Sequence, residues 1–533
     1  MRRATLGLLL LSAACASASS ISANAPLSGP RTRAERTNYL ETSTYADVIA
    51  FLDSLKGRPE LTFGSIGKTN EGRDIPYVIA SRPRVSTPEE ARRLRRPIVY
   101  VQGNIHAGEV EGKEALLALL RDLTSSTRPN VLDSVILIAV PIYNADGNEK
   151  FGRQEVNRGS QNGPEMVGVR ANAQGLDLNR DYMKVEAPET RASLAMFNAW
   201  NPDVFVDLHT TNGSYHGYAL TYAPPLNPAS PLGTFTRDSI MPVLQARMLA
   251  RHKIPTFDYG DFISADTLSK GWVTFDSRPR FGTNYYGLRE RISILSEAYS
   301  HDPFERRVTS TYAFVREVLS MFGERGLRTF SDLFGNSRGV TIRARMVARR
   351  DSAAVVAEIV ERTADSTRTE PGVPRGRRRT GRYVTVKMPV FDRFEPTLRA
   401  TMPERYILRA SDTAAVRVLR AHGIAVATAQ ATFPGADQMA NGYVFLIDST
   451  VAAARPFQGH REMRVVGKWR RATRKVEPGS FIVDMKQPLS LLAVYLLEPQ
   501  SDDGLVTWNF FDASLKAGGE YPVMKVGGAP PVP

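Results

Sequence analysis

Two histidines and a glutamate have the types and the spacing of a metal site. His106 and Glu109 lie three residues apart in "GNIHAGEVEG", directly after the apolar run at 98–102. His209 ends a second apolar run, "DVFVDLHT". A catalytic zinc ion takes three protein ligands, and two histidines with one glutamate are an established set. The His-x-x-Glu pair alone would also suit a polar turn before a helix, with Glu109 near the positive helix end. A second histidine at the end of another apolar run favours a metal site over a polar turn.

The elements that must position these residues are short apolar runs separated by helical patterns. The runs lie at 98–102, 134–143, 203–210 and 291–299. Continuous apolar strands separated by helices predict an α/β fold, with a mixed, mostly parallel twisted sheet flanked by helices. Sites in such sheets form beyond the carboxyl ends of the strands. His106, His209 and Glu297 each end one of the runs, so we expect them to converge.

The segment "RANAQGLDLNRDY" at 170–182 makes a family resemblance specific. Four motifs occur in the order and approximate spacing of the zinc carboxypeptidase family: His106-x-x-Glu109, Gly175-Leu-Asp177-Leu-Asn179-Arg180, Asp207-Leu-His209-Thr and the strand residue Glu297. The sequence "NADG" at 144–147 also resembles a family signature. The resemblance covers about residues 38–320.

The resemblance implies one zinc ion per chain and a peptide or protein substrate. The implied zinc ligands are His106, Glu109 and His209, and Asp177 would accept a hydrogen bond from His106. A metal-bound histidine normally donates its second ring proton to such a carboxylate. Glu297 matches the glutamate that takes a proton from water and passes it to the departing amine.

Substrate-binding residues are also implied by the resemblance. Arg170 resembles the arginine that stabilises the negatively charged intermediate, and Arg158 is the competing candidate. Asn179 and Arg180 match the pair that binds the terminal carboxylate of the substrate. A guanidinium group suits this task because its planar fork meets a carboxylate through two hydrogen bonds.

One feature departs from the family pattern. The family carries a mobile tyrosine that closes over the substrate, well before the catalytic glutamate. In this chain the candidates are Tyr285 and Tyr286 in "GTNYYGLRERISILSE", only a short distance before Glu297. Either tyrosine could replace the mobile one, or both could be packing aromatics.

The N-terminal segment predicts export. Residues 1–18 combine two arginines, an apolar core and small residues, which is the pattern of a signal peptide with cleavage after Ala18. This segment is too short for a membrane span. Cys15, the only cysteine, is an alternative site for a lipoprotein anchor, although Ser12 stands where such sites usually have leucine. Without it the mature chain has no disulfide, so its core must stabilise it.

The remaining chain predicts two domains and no nucleic-acid partner. A length of 533 residues exceeds one ordinary core. We expect a catalytic domain at 36–330 and an accessory α+β domain at 340–533. The net charge of +14 is scattered, and its densest run, 371–382, is mixed with proline and glycine. We therefore predict a disordered basic loop near 365–382 and not a nucleic-acid site.

These patterns predict an exported zinc metallopeptidase, a metallocarboxypeptidase that hydrolyses C-terminal peptide bonds. Two alternatives stay open. The first is an amidase or deacylase of the same fold that acts on cell-wall peptides or acylated amino acids. The second is a non-catalytic, zinc-dependent protein that binds peptides or surfaces. Glu297 favours an enzyme, because a protein that only binds its target needs no base there.

Overall fold

The computed structural model describes residues 29–125, 129–325, 339–364, 376–429 and 439–527. The predicted signal segment and Cys15 lie outside these ranges. Within them, no helix combines the length and the apolar character that crossing a bilayer requires.

Helices occur throughout the described ranges and concentrate in the first two thirds of the chain. They are α1 (Arg33–Arg36), α2 (Tyr45–Ser54), α3 (Pro88–Leu94), α4 (Glu111–Thr124), α5 (Ala145–Glu149), α6 (Gln154–Asn157), α7 (Pro188–Trp200), α8 (Gly233–Phe235), α9 (Met241–His252), α10 (Gly282–Leu288), α11 (Phe304–Arg325), α12 (Thr413–Ala421) and α13 (Ser490–Leu497).

Strands alternate with these helices at first and then dominate beyond residue 339. They are β1 (Leu61–Lys68), β2 (Asp74–Ala80), β3 (Ile98–Gly103), β4 (Ile136–Val140), β5 (Gly152–Arg153), β6 (Met166–Val167), β7 (Val204–Thr210), β8 (Leu220–Ala223), β9 (Thr256–Asp258), β10 (Asp261–Phe262), β11 (Trp272–Val273), β12 (Ile292–Ala298), β13 (Gly339–Ala348), β14 (Ala353–Arg362), β15 (Arg377–Met388), β16 (Val390–Thr401), β17 (Arg405–Leu408), β18 (Ala427–Thr428), β19 (Met439–Ala452), β20 (Met463–Lys475), β21 (Phe481–Asp484) and β22 (Met524–Val526).

An eight-stranded sheet in the order β1-β2-β4-β3-β7-β12-β8-β9 forms the centre of the first part of the chain. Its middle strands β4, β3, β7 and β12 are parallel to one another, and every residue in them is buried. Strands covered on both faces must be apolar throughout, which explains the four runs in the sequence. The predicted mixed α/β fold is confirmed.

Helices cover both faces of this sheet. On one face, α4 and α11 pack beside α2 and α9 over apolar side chains such as Val99 and Val206. On the other face, α7 and α10 cover Tyr100 and Phe205. Each face is thus sealed from water, and the strand ends are the places where polar side chains can meet a substrate.

The part of the chain after residue 339 is built mainly of antiparallel strands and is joined closely to the first part. Strand β16 pairs with β11 in parallel and with β13 in antiparallel, so one small sheet contains strands from both parts. The buried cluster around α7 continues into the apolar residues of α12 and α13. A division into domains near residue 340 stays a prediction, and the two parts share one core.

The basic run predicted as a loop differs from that prediction in the part that the structure describes. Residues 377–382 begin β15, which pairs with β14. Arg379 forms an ion pair with buried Glu358 at 2.7 Å, so a buried carboxylate holds this basic segment in a hairpin. Residues 365–375 lie outside the described ranges.

Candidate active site

Close packing of α4 against the sheet brings the His106–Glu109 turn to His209. A Cβ atom on Gly103 would lie 2.9 Å from the carbonyl carbon of Gly112, and one on Gly112 would lie 2.8 Å from Leu208 Cβ. Real Cβ atoms do not approach other atoms this closely, so only glycine lets the helix lie directly on β3 and β7. The turn that joins β3 to α4 therefore lies beside the end of β7.

Strand register places Glu297 beside the three candidate ligands. In the parallel pair β7 and β12, His209 lies opposite Glu297. The backbone N–H of Thr210 donates to Glu109 Oε2 at 3.1 Å, which ties the end of β7 to the His106–Glu109 turn. The predicted convergence of the strand ends is therefore present in the structure.

The three candidate ligands direct their donor atoms to one point. His106 Nδ1 lies 3.1 Å from Glu109 Oε1, His209 Nδ1 lies 2.9 Å from Glu109 Oε2, and the two Nδ1 atoms are 3.1 Å apart. Two nitrogen ligands at zinc-nitrogen distances on one tetrahedral ion lie roughly 3.3 Å apart. The spacing and the two-histidine, one-carboxylate donor set fit a divalent metal ion such as zinc.

The other nitrogen of each imidazole ring faces a buried carboxylate. Asp177 Oδ1 lies 3.1 Å from His106 Nε2, and Asp207 Oδ2 lies 3.0 Å from His209 Nε2. Carboxylates in these positions fix the ring tautomer and its orientation and make the facing nitrogen a better ligand. Both histidines are thus held with Nδ1 turned to the metal position.

Positive charges keep the carboxylates of this site ionised. Burial acts to raise the pKa of Glu109, but His106 and Arg158 lower it well below its usual range. Burial likewise opposes ionisation of Asp177, and His106 and Arg170 outweigh it, so the pKa of Asp177 is also strongly lowered. Both groups are therefore anionic at neutral pH, as a cation site requires.

A cleft of about 90 Å³ opens over the three candidate ligands. Glu297, Arg170, Asn179 and Arg180 also line it. The rest of its wall is formed by residues that the sequence did not single out: Thr210, Asn212, Tyr259, Phe275, Phe281, Thr283 and Leu295.

Glu297 has the environment of a proton acceptor. Its side chain is buried, and its Oε2 atom makes no hydrogen bond with the described residues. Burial raises the pKa of Glu297, while nearby His209 opposes this rise and Glu109 adds to it. A buried carboxylate oxygen without a protein donor can accept a proton from a group that enters the cleft.

The two candidate arginines take different positions. Arg170 is 39% exposed and lines the cleft, with its Nε atom donating to Asp177 Oδ2 at 2.9 Å. Arg158 lies below the cleft floor, where it donates to the carbonyls of Thr210 and Thr211 and pairs with Glu109 at 3.0 Å. The geometry favours Arg170 as the cation that faces a substrate.

Asn179 and Arg180 lie on one turn of 3₁₀ helix, Leu178–Arg180, and both line the cleft. Asp177 caps this turn by accepting the N–H of Asn179 at 2.9 Å. Asn179 Oδ1 accepts the N–H of Gly282 at 2.8 Å, and the Arg180 guanidinium stacks 3.9 Å from the centre of the Phe281 ring. These contacts hold the guanidinium at the cleft rim, where it can receive a carboxylate.

Comparison with known proteins identifies one segment of the chain. Residues 48–230 match the family model described as Peptidase_M14, zinc carboxypeptidase. These residues are a zinc carboxypeptidase domain.

Similarity to one relative extends beyond this domain, and similarity to another covers only part of the chain. Carboxypeptidase 2 of Trichophyton rubrum is 23% identical over 492 residues, which are 86% of this chain and 81% of that protein. Carboxypeptidase Z of Mus musculus is 34% identical over 125 residues, 22% of this chain and 17% of that protein. Among solved structures, a metallo-carboxypeptidase from Pseudomonas aeruginosa aligns at 16% identity and a TM-score of 0.39, covering 55% of this chain and 70% of that one.

The fold does not bring Tyr285 and Tyr286 to the cleft, so neither can close over a substrate there. Both lie in α10 and are fully buried. The Tyr285 hydroxyl meets His422 Nδ1 at 2.7 Å, and Tyr286 packs on Phe205. Both rings belong to the buried cluster that contains Tyr100 and Phe205, so they are packing aromatics, the alternative that the sequence left open.

Tyr259 is the tyrosine that lines the cleft. Its hydroxyl accepts a hydrogen bond from Asn212 Nδ2 at 2.7 Å. Tyr259 lies well before Glu297 in the chain, as the family pattern requires, and this spacing was the signal that could have identified it. Asp207 was missed as a partner of His209, although residues two apart on a strand share a face.

The "NADG" sequence connects two segments of the site through hydrogen bonds of Asn144. Asn144 accepts the N–H of Gly147 at 2.9 Å and so caps α5. Its Nδ2 atom donates to the carbonyl of Ile105 at 3.3 Å and to that of Arg170 at 3.2 Å. One side chain thus connects the turn that carries His106 to the segment that carries Arg170.

Proposed function

We propose that this protein is an exported zinc metallocarboxypeptidase that releases residues from the C-terminus of peptides. The observation that carries the proposal is the convergence of His106, Glu109 and His209 beside a buried glutamate, Glu297, in a cleft rimmed by Arg180. This arrangement combines a metal position, a proton acceptor and a carboxylate-binding group within one small space.

The ligands and the base have separate tasks. Zinc held by His106, Glu109 and His209 would polarise the scissile carbonyl and lower the pKa of a water molecule. Glu297 accepts a proton from that water and donates it to the departing amine, so that its carboxylate is restored. Asp177 and Asp207 keep the imidazole rings turned to the metal throughout.

Arg170 and Arg180 divide the negative charges of the reaction between them. Arg170 supplies a positive charge beside the metal position, where the attacked carbonyl oxygen becomes negative. Arg180 and Asn179 bind the terminal carboxylate of the substrate.

Export is proposed from the sequence of residues 1–18. The protein recovered from the cell envelope or medium is expected to begin at Ser19, as determined by N-terminal mass spectrometry. A diacylated Cys15 at the N-terminus would replace this proposal with a lipoprotein anchor.

The decisive test compares a peptide that has a free C-terminus with the same peptide amidated. Without a terminal carboxylate, Arg180 loses a charge-assisted contact worth roughly 1.5–3 kcal/mol, so kcat/KM should fall about tenfold or more. Arg180→Ala should remove most of this difference between acid and amide. Arg153→Ala, at an exposed arginine whose ion-pair partner is Glu155, is the control and should leave the difference intact.

Two outcomes would contradict the carboxypeptidase assignment. Equal cleavage of acid and amide, or internal cuts seen by mass spectrometry, would exclude a terminal carboxylate as the recognised group. Cleavage of cell-wall peptides but not of plain peptides would instead support an amidase of the same fold.

A further inference from the structure

A four-residue turn in the C-terminal part of the chain reaches the metal site from outside the zinc carboxypeptidase domain. In the 457–460 turn, the N–H of Phe457 donates to the carbonyl of His460 at 2.7 Å, and the N–H of His460 donates back at 3.0 Å. Gln458 and Gly459 have φ angles of 51° and 82°. Two successive left-handed residues between reciprocal hydrogen bonds form a tight turn with a defined direction.

Gln458 meets the site through Asp177. Its Oε1 atom accepts the backbone N–H of Asp177 at 2.8 Å, across 281 positions of sequence. Asp177 faces His106 with one carboxylate oxygen and Arg170 with the other, and it caps the turn that holds Asn179 and Arg180. One amide oxygen thus anchors the backbone of the residue that connects the metal ligand to the substrate-binding pair.

Side-chain contacts of His460 hold the 457–460 turn in place. His460 Nε2 lies 2.9 Å from a carboxylate oxygen of Glu186, and its Nδ1 lies 3.1 Å from Asn509 Oδ1. The imidazole ring also packs edge-on against Trp508. These contacts tie the turn to both parts of the chain, so contacts within the chain determine the position of Gln458.

A second set of contacts from the C-terminal part holds the segment that carries Phe281, the stacking partner of Arg180. Arg280 is buried and donates from its Nε to Asp503 at 2.9 Å and from NH1 to Glu462 at 2.6 Å. Phe281, the next residue, carries the ring on which Arg180 stacks. The C-terminal part therefore holds both the segment of Arg180 and the segment of its stacking partner.

We propose that Gln458 is a positioning residue of the active site, through which the C-terminal part of the chain sets the orientation of Asp177 and, with it, the zinc affinity and the binding of the substrate's terminal carboxylate. The inference rests on the proposed function for its substrate readout, but its metal readout does not. The C-terminal part of the chain is then a component of the catalytic unit and more than an appended domain.

The experiment uses the full chain and a one-methylene truncation. Gln458→Asn keeps an amide and a residue type that tolerates the left-handed conformation, but its oxygen cannot reach Asp177. Gln487→Asn is the matched control, because the Gln487 Oε1 atom likewise accepts a backbone N–H, that of Ala425, at 2.8 Å. Gln458→Glu keeps an acceptor at the original length and is the rescue variant.

Zinc affinity is measured by competition with a chromogenic chelator, and kcat and KM are measured on a peptide with a free C-terminus. Removing a group that orients a metal ligand weakens metal binding by about ten- to a hundredfold. Gln458 contacts Asp177 and not the ligand His106 itself, so we expect Gln458→Asn to weaken zinc binding by about fivefold to tenfold. KM should rise by a similar factor with kcat changed less, whereas Gln458→Glu and Gln487→Asn should stay near the wild-type values.

Zinc affinity and KM of Gln458→Asn equal to those of Gln487→Asn would overturn the inference. A loss in Gln458→Asn that Gln458→Glu does not restore would also overturn it, because the acceptor oxygen would then not be the cause. If the wild-type chain binds zinc but cleaves no peptide, the proposed function fails while the zinc comparison still decides the role of Gln458.

Discussion

Each imidazole of the candidate metal site turns one nitrogen to the other ligands and one to a carboxylate. His209 is fully enclosed, with Glu109 on one side of its ring and Asp207 on the other. Removing the ring therefore takes away a ligand and leaves two buried carboxylates facing an empty space. The ligand role of His209 can be separated from its packing role by measuring bound metal directly.

His209→Ala should lose most of its zinc, because two remaining ligands do not complete a catalytic site. His252→Ala is the control, since His252 pairs with Glu317 on α11 and lies outside the cleft. Metal content of the purified variants by mass spectrometry checks the prediction. Stoichiometric zinc in His209→Ala would exclude this histidine as a ligand.

Glu297→Gln should separate metal binding from turnover. Glutamine keeps the size of the side chain but cannot accept a proton, so turnover should drop by about a hundredfold or more. Zinc content should stay at the wild-type level, because Glu297 is not among the converging ligands. Glu324→Gln, at an exposed surface ion pair with Arg247, should leave both quantities unchanged. Near-normal turnover in Glu297→Gln would mean that another group activates the water.

At the scale of elements, the site depends on how closely α4 lies on β3 and β7. The helix begins at Glu111, two residues after a metal ligand, so any displacement of its first turn moves Glu109. Gly112 allows this contact because a side chain there would meet Leu208 Cβ at 2.8 Å. Packing at this one position therefore controls both stability and metal geometry.

Gly112→Ala should destabilise the fold and weaken zinc binding together. Alanine favours the helix by about 1 kcal/mol, but overpacking typically costs about 1–3 kcal/mol, and the helix must shift to relieve it. Thermal unfolding and zinc affinity are the measurements. Gly323→Ala in α11, which would meet the Ser134 side chain far from the cleft, should change stability without changing zinc affinity. Unchanged zinc affinity in Gly112→Ala would contradict the link between helix packing and the ligands.

At the scale of the whole molecule, buried charges cluster where the two parts of the chain meet. Asp503 pairs with Arg280, and its neighbour Asp502 accepts a hydrogen bond from Tyr495 at 2.5 Å. Burial raises the pKa of Asp502 to about 6, while the Tyr495 hydroxyl opposes this rise and Asp503 adds to it. Ionisation of Asp502 above about pH 6 therefore destabilises the folded protein.

Asp502→Asn should raise the melting temperature at pH 8 and have little effect at pH 4. An unfolded aspartate titrates near pH 4, so between about pH 4 and 6 the folded state binds more protons and gains stability as the pH falls. Asparagine removes the cost of ionisation, which is about 1–3 kcal/mol above pH 6. Asp448→Asn, at an exposed position in β19, is the control and should show no such pH dependence. A melting-temperature gain that is equal at both pH values would contradict the burial of a charged Asp502.

The sequence by itself determined the sheet and singled out the candidate ligands and the candidate base. Buried parallel strands need continuous apolar runs, and sites form beyond the carboxyl ends of such strands, so His106, His209 and Glu297 could be identified from local sequence. The order of the motifs then predicted the family, which the comparisons confirmed.

Only the tertiary structure decided which side chains turn to the cleft. Arg170 and Arg158 have the same chemistry, and packing alone sends one to the cleft wall and the other below its floor. Tyr285 and Tyr286 point into the core that their helix shares with the sheet, whereas Tyr259 reaches the cleft from the loop after β9.

The contact of Gln458 with Asp177 spans 281 positions, and no local pattern contains it. Hydrophobic periodicity and strand ends are properties of neighbouring residues, so one segment of sequence specifies them. The direction of a side chain across two packed elements depends on the free energy of the whole core, and it exists only once the chain has folded.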